Sequence, residues 1–311
     1  MSLTHEGQVR WQRNLVDEFG AIESRHGISA SREHTDDRVF VWVERSKEPY
    51  VLAAEKTSGK DIWKAAGLGV TSWASPRLVP IVGEPLRDSH LVLSGIGVLS
   101  SLDPATGKQL WRFEGIKGNS TPTPTPIGNG RFLIGATAGR GEPDAGKAAE
   151  SNSLIAIKQN EDGSFAADFV WKAKRATSSF GSPLAHQGHA YYVNATGVLF
   201  CLDLETGEEI FSNRIGDSIW ATPLPMGDRI CFFGKSGTVS IVSAGSKFES
   251  LAENVTWEAP APPTAPVAKE GGSGAGRGMG FGGAVLYAAV FTKDRLLLRR
   301  GDKLYCVVAK S

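Results

Sequence analysis

The chain has 311 residues, 34 Lys+Arg against 33 Asp+Glu for a formal net charge of +1, 41% hydrophobic residues and 22% charged ones. Balanced charge argues against a nucleic-acid binder that works by bulk electrostatics, and a globular composition at this length can bury a core without disulfide or metal staples. No run of 18 apolar residues offers a transmembrane helix, and the 37 glycines, well above the usual share of about 7%, suit many turns between short strands.

The first residues, Met1-Ser2-Leu3-Thr4-His5, are polar and lack the apolar stretch of a signal peptide. Gly7-Gln8-Val9-Arg10-Trp11 reads as the tail of a repeat unit, and Val9 to Phe19 holds the one short stretch with helical spacing of apolar residues. Val39-Phe40-Val41-Trp42-Val43 predicts a strand, being β-branched and aromatic. Val51 to Trp63 introduces the pattern that organises the chain. It returns from Leu99 to Trp111 and from Leu199 to Phe211. Asp103 matches Asp203, Thr106-Gly107 matches Thr206-Gly207 and Ser58-Gly59, and Trp63, Trp111 and Phe211 close the three copies. Weaker copies are Leu154 to Lys158, in a unit ending at Trp171, Val239 to Ser243, in one ending at Trp257, and Leu304 to Val308. The aromatic ends Trp11, Trp63, Trp111, Trp171, Phe211 and Trp257 recur at intervals of 40 to 60 residues. That period suits a four-stranded propeller blade. Leu91 to Leu93, Phe132 to Ile134, Tyr191 to Val193 and Ile230 to Phe233 supply further short strands.

Each unit reads as four strands. The innermost opens at a small residue followed by Pro: Ser75-Pro76, Ser182-Pro183 and Thr222-Pro223, with the matching step inside Thr121 to Pro126 left ambiguous. Pro at the first residue of a strand removes no ladder bond. The third strand leads through Asp-x-x-Thr-Gly, whose Asp and Thr can bond turn amides while Gly supplies a positive φ. The closing Trp is large enough to fill the gap between wedge-shaped sheets. Trp73, Phe180 and Trp220 each stand three residues before the Pro of an inner strand, with Asn119 or Thr121 at the third-unit place. Identical repeat positions map to rotationally related places, so these aromatics are expected round one mouth of the channel. A partial ring of aromatics is a candidate docking surface for a protein or peptide, and packing between blades is the competing role.

Other motifs lack the context their chemistry needs. Residues 141–148 nearly spell a P-loop but lack its Ser/Thr and fall between two predicted strands. Gly278 to Gly283 fits GxGxxG but follows a Pro/Gly-rich run, so residues 259–283 are expected to be a flexible insertion. His186 and His189 flank a Gln-Gly turn with no third metal ligand nearby in sequence. Cys201, Cys231 and Cys306 form no CxxC; Cys201 and Cys306 share a repeat position with Ala53, Ser101 and Ala156, which favours packing.

The motif Leu-Asp-x-x-Thr-Gly-x-x-x-Trp, with Ser-Pro at the next strand, resembles the repeats of PQQ-type β-propellers, the quinoprotein alcohol dehydrogenase-like family, from Gly7 to Val308. The resemblance is closest to the non-enzymatic bacterial branch that includes the propeller lipoprotein of the outer-membrane barrel assembly machinery. It implies an all-β, single-domain propeller over 1–311. About six blades are present, either closed by the Gly7 to Trp11 strand or part of an eight-bladed ring. It also implies a periplasmic or cell-envelope location and a non-catalytic scaffold that docks a protein or peptide partner, with Trp73, Phe180 and Trp220 as the candidate surface. The alternative is a PQQ-dependent dehydrogenase. Enzymes of that kind carry an adjacent Cys-Cys pair and an acidic calcium site; this sequence has neither, so no PQQ, calcium or other metal, and no catalytic residue, is expected.

Overall fold

The computed structural model describes residues 1–23, 29–45, 47–70, 72–81, 88–119, 121–137, 149–178, 180–257 and 286–308. The P-loop-like segment 141–148, the GxGxxG match and the expected insertion at 259–283 lie outside them. The described chain is almost wholly β. Five four-stranded antiparallel sheets follow one another, each a meander of consecutive strands. The first holds β3 (Glu33–His34), β4 (Arg38–Val43), β5 (Tyr50–Glu55) and β6 (Asp61–Ala66). The second holds β7 (Arg77–Pro80), β8 (Ser89–Gly95), β9 (Val98–Leu102) and β10 (Gln109–Glu114). The third comprises β11 (Thr125–Gly128), β12 (Arg131–Ile134), β13 (Ser153–Gln159) and β14 (Phe165–Lys172). The fourth comprises β15 (Leu184–His186), β16 (His189–Val193), β17 (Val198–Asp203) and β18 (Glu209–Arg214), and the fifth β19 (Leu224–Met226), β20 (Arg229–Phe233), β21 (Thr238–Ser243) and β22 (Ser250–Val255). A sixth sheet has three strands, β23 (Leu286–Thr292), β24 (Arg295–Arg300) and β25 (Lys303–Val308). At the start of the chain β1 (Ser2–Leu3) pairs with β2 (Val9–Trp11), followed by the short helix α1 (Leu15–Phe19).

Consecutive sheets stack face on face, which makes them blades of a β-propeller. The pleat sends alternate residues to opposite faces, so every blade is apolar on both sides. In the fourth blade Leu184, Tyr191, Cys201 and Phe211 lie directly opposite one another across the sheet. They meet Ile230, Phe232 and Val242 of the fifth. Equivalent buried layers join the first blade to the second, the second to the third, the third to the fourth and the fifth to the sixth.

The repeated turn has a defined chemistry. The Asp103 carboxylate accepts from the Ala105 amide at 2.7 Å and from the Thr106 hydroxyl at 2.8 Å, and Gly107 has φ +73°. At three of these turns a Trp from the preceding unit lies flat on the glycine: Trp11 on Gly59, Trp63 on Gly107 and Trp171 on Gly207. The indole N–H of Trp63 donates to the carbonyl of Pro104, that of Trp171 to Leu204 and that of Trp11 to Lys56, each three residues before the glycine. A Cβ at Gly59 or Gly107 would stand 2.7 or 2.6 Å from the indole. Glycine is needed there both for its φ and for its missing side chain.

Two sequence readings change. Trp171 lies opposite Leu154, not Ala156, because β13 and β14 extend past the bulge to a turn at Asn160–Ser164. Leu154 therefore holds the Cys201 place in the third blade. The strand ending at Trp11 pairs with β1, while β25 is the edge of the sixth sheet. The six-bladed closure by Gly7 to Trp11, one of the two arrangements open from sequence, is not formed.

Candidate functional site

The inner strands begin at a line of hydroxyl residues that tie one blade to the next. The amide of Ser31 donates to Ser75 Oγ, that of Ser75 to Thr123 Oγ1, that of Thr123 to Ser182 Oγ and that of Ser182 to Thr222 Oγ1, at 2.9 to 3.1 Å. This resolves the ambiguous stretch: Thr123-Pro124 is the third blade's step. These five positions are rotationally equivalent, so the residues two places before them are too: Ser29, Trp73, Thr121, Phe180 and Trp220. Asn119 is instead buried, its side chain bonding the Gly97 amide and Ser94.

Phe180 and Trp220, from neighbouring blades, meet with ring centroids 4.3 Å apart. The contact follows from a close backbone approach: a Cβ at Gly181 would lie 2.6 Å from the Ala221 carbonyl. The Trp220 indole N–H donates to Ser218 Oγ at 3.1 Å, and Ser218 Oγ donates to the Ala195 carbonyl at 2.6 Å, which fixes the ring. Lys235, in the turn between β20 and β21, places its Nζ 4.6 Å from the Trp220 ring centroid, and its amide donates to the Ser218 carbonyl. Phe180 keeps 43% of its surface exposed. The corner thus offers two aromatic faces and a cation, suited to an apolar or aromatic side chain beside a negative charge.

Trp73 occupies the corresponding place at the second blade. It is half-buried, and its carbonyl accepts from Ser29 Oγ at 2.9 Å. Thr121 stands between it and Phe180 in blade order, so the aromatic ring is interrupted. Lys235 escaped the sequence reading because a lone Lys in a Gly-Lys-Ser-Gly turn carries no signal until Trp220 is seen beneath it.

The remaining candidates do not assemble a site. The His186 ring nitrogen Nε2 lies 2.7 Å from the Gly227 carbonyl and His189 Nδ1 lies 2.6 Å from the Gln187 carbonyl, across the predicted tight turn. Among the described residues no group of three or more His, Cys, Asp or Glu could hold a metal ion. Cys201, Cys231 and Cys306 lie on β17, β21's neighbour β20, and β25. Burial pushes the Cys201 thiol up to about 12 and raises that of Cys231, away from thiolate chemistry. Three cysteines in three blades do not fit the paired-thiol quinone site of PQQ enzymes.

Burial also alters Glu44 and His90. The Glu44 carboxylate accepts from the Trp42 indole and the Leu68 and Gly69 amides, and burial still raises its pKa. His90 is held down to about 4 by burial, accepts the Trp111 indole N–H at 3.0 Å through Nδ1, and meets Phe165 edge-on. Glu44 ties the end of β4 to the segment that follows β6, and His90 joins β8 to β10 and β14.

A family model described as outer membrane protein assembly factor BamB matches residues 3–140 and 96–275. Among solved structures the chain is similar to BamB from Moraxella catarrhalis, at 14% identity and a TM-score of 0.50 over 90% of this chain and 82% of that one. It is also similar to the β-propeller domain of Cps50 (Swd1) from Myceliophteria thermophila, at 12% identity and a TM-score of 0.57 over 92% and 84%. At these identities the structural likeness shows the fold, a β-propeller. None of the curated proteins matches the chain in sequence.

Proposed function

The chain belongs to the family of the outer membrane protein assembly factor BamB, and from that premise we propose that it is a non-catalytic scaffold of the bacterial cell envelope that docks a protein or peptide partner at the channel mouth. The observation that carries this reading is the Phe180–Trp220 pair under Lys235, an exposed aromatic corner at the start of two inner strands. Trp is among the residues enriched in protein-binding hot spots, and aromatic residues are enriched at interfaces in general. Trp73 holds the equivalent place two blades from Phe180, beyond Thr121. The periplasmic face of the envelope is the proposed location, by family; among the described residues no helix is long and apolar enough to cross a membrane.

The test is a double change, Trp73→Ser with Trp220→Ser, measured by capture from a cell-envelope extract and by thermal melting. Loss of the captured partner with a melting temperature within a few degrees supports docking. A large drop in melting temperature makes these residues packing elements instead. The proposed role uses no quinone, so PQQ with calcium should leave the melt unchanged; stabilisation by about 2.7 kcal/mol at 100-fold excess over Kd would favour the dehydrogenase reading.

A further inference from the structure

A cleft of about 230 Å³ opens at the outer strands between the first and second blades. Leu93 and Leu102, both buried, form its floor. Ala65 and Gly67 make one wall, and Gln109 and Arg112 the other. Leu93, Ser100 and Arg112 lie directly opposite one another across β8, β9 and β10, and Leu102 lies opposite Gln109. These side chains therefore share the face of the second blade that packs on the first.

The repeat shows what this place holds at the other junctions. Ala65 stands two residues after Trp63, as Phe113 does after Trp111. Gln109 stands two residues before Trp111, as Phe169 does before Trp171, and they lie opposite Leu102 and Ile155. Between the second and third blades the space is thus filled by Phe113 against Phe169, with ring centroids 5.1 Å apart and Lys172 Nζ 4.0 Å from the Phe169 centroid. Arg112 and Lys172 are equivalent too, each one residue after its Trp. Between the third and fourth blades Ala173 is small again, but Arg175 reaches across to Glu209 and Ser212 Oγ. Gly67 holds the Arg175 place in the first blade, and a Cβ there would lie 2.6 Å from Glu44 Oε1. The first junction therefore lacks both rings and the strap, and keeps the cation. Arg112 Nε donates to Glu114 at 3.0 Å in an exposed pair. That pair engages one of five guanidinium N–H donors and is worth little in water.

We propose that this cleft binds a small aromatic carboxylate, with its ring where Phe113 and Phe169 meet at the next junction and its carboxylate on Arg112 and Gln109. An apolar cavity of roughly 150 Å³ is enough for benzene, so about 230 Å³ holds one ring and a short chain. A guanidinium grips a carboxylate through two parallel hydrogen bonds, and the Gln109 amide is a further donor. β6 and β10 are the outer strands of their blades, whereas the channel mouth lies at the inner ones. The site is separate from the aromatic corner and stands if that reading fails.

The probe is 3-phenylpropanoate, titrated into the full chain with isotope-labelled alanine methyls and followed by NMR. It should shift the Ala65 and Ala66 methyl signals saturably. The uncharged 3-phenylpropanamide, of the same shape, should bind several-fold more weakly. Arg112→Gln should bring the acid down to the affinity of the amide and leave the amide unchanged. Ala65→Phe, which restores a ring of the next junction, should abolish binding of both, read at Ala66, with no drop in melting temperature. Should that ring unfold the chain, Ala65→Leu makes the same test. No saturable shift at Ala65, or binding that survives in a folded Ala65→Phe or Ala65→Leu chain, overturns the proposal. Equal affinity for acid and amide in the unaltered chain overturns the carboxylate assignment. Tighter binding of a short peptide ending in phenylalanine would put the C-terminus of a partner chain in the cleft and overturn the small-ligand assignment.

Discussion

The first and sixth blades are the two ends of one stack, and their outer faces are treated in opposite ways. On the first, Phe19 meets Tyr50 with ring centroids 5.1 Å apart and Lys64 sits 4.4 Å from the Phe19 centroid. The Arg45 guanidinium donates to the Phe19 carbonyl at 2.7 Å and lies over the Tyr50 ring. On the sixth, the comparable apolar row of Val290, Leu304 and Val308 is exposed among the described residues. The repeat makes every blade apolar on both sides because every blade is built to be interior. An end blade inherits that pattern and needs a separate device to cover it, and among the described residues, residues 11–22 supply one at the first blade.

If interior junctions hold most of the stability, the largest loss should come from within the stack. Trp111→Ala, between the second and third blades and 4% exposed, is expected to lower the unfolding free energy by about 3–5 kcal/mol. A loss under about 1 kcal/mol in urea unfolding would mean that the junctions are not what separates the two ends from the rest.

The same junction should sense acid. His90 is kept neutral in the fold, near 4 against an ordinary value of 6.5, so the unfolded chain takes up its proton first. Stability from this site is complete above pH 6.5 and is lost as pH falls towards 4, by about 3 kcal/mol at most. His90→Gln, which keeps an acceptor for Trp111, should remove that part of the pH dependence. An unchanged profile between pH 7 and 4.5 would show that the imidazole is already charged or exposed.

The cap comes next. Phe19→Ala exposes Tyr50 and should cost about 2 kcal/mol, less than an interior Trp because Phe19 is half-buried. If it costs nothing, the first end is as open as the sixth. The smallest effect belongs to the sixth blade. Leu304→Ser should change stability by less than about 0.5 kcal/mol and reduce binding of a hydrophobic dye. A loss above 2 kcal/mol would place Leu304 in a buried junction and erase the contrast.

The blade plan was legible because one residue type does one job in it. Trp63, Trp171 and Gly207 can be recognised in sequence, since a flat indole on a positive-φ glycine leaves little freedom at either place. The third blade was misregistered at Ala156 because a hairpin can lengthen without changing its alternation. The inner Pro steps were visible, but the bonds their neighbours make across blades were not, since Ser and Thr hydroxyls serve many partners. The cap was read only as a short helical start between Val9 and Phe19. That Phe19 covers Tyr50 depends on the chain folding back, which no local pattern records. Trp73, Phe180 and Trp220 were found by position, and Lys235, which shares their corner, only by geometry.

The hydroxyl line at the inner strands has a direction. Each bond runs from an amide of one blade to a side chain of the next, so the group that loses its partner is never in the blade that is altered. Replacing Thr123 by Val strips the acceptor from Ser75, and replacing Ser182 by Ala strips it from Thr123. Hydrogen–deuterium exchange should therefore report each change one blade towards the N-terminus, as faster exchange at a single distant amide. The axis of this protein works as a one-way register, in which the order of the blades could be read from isotope uptake alone.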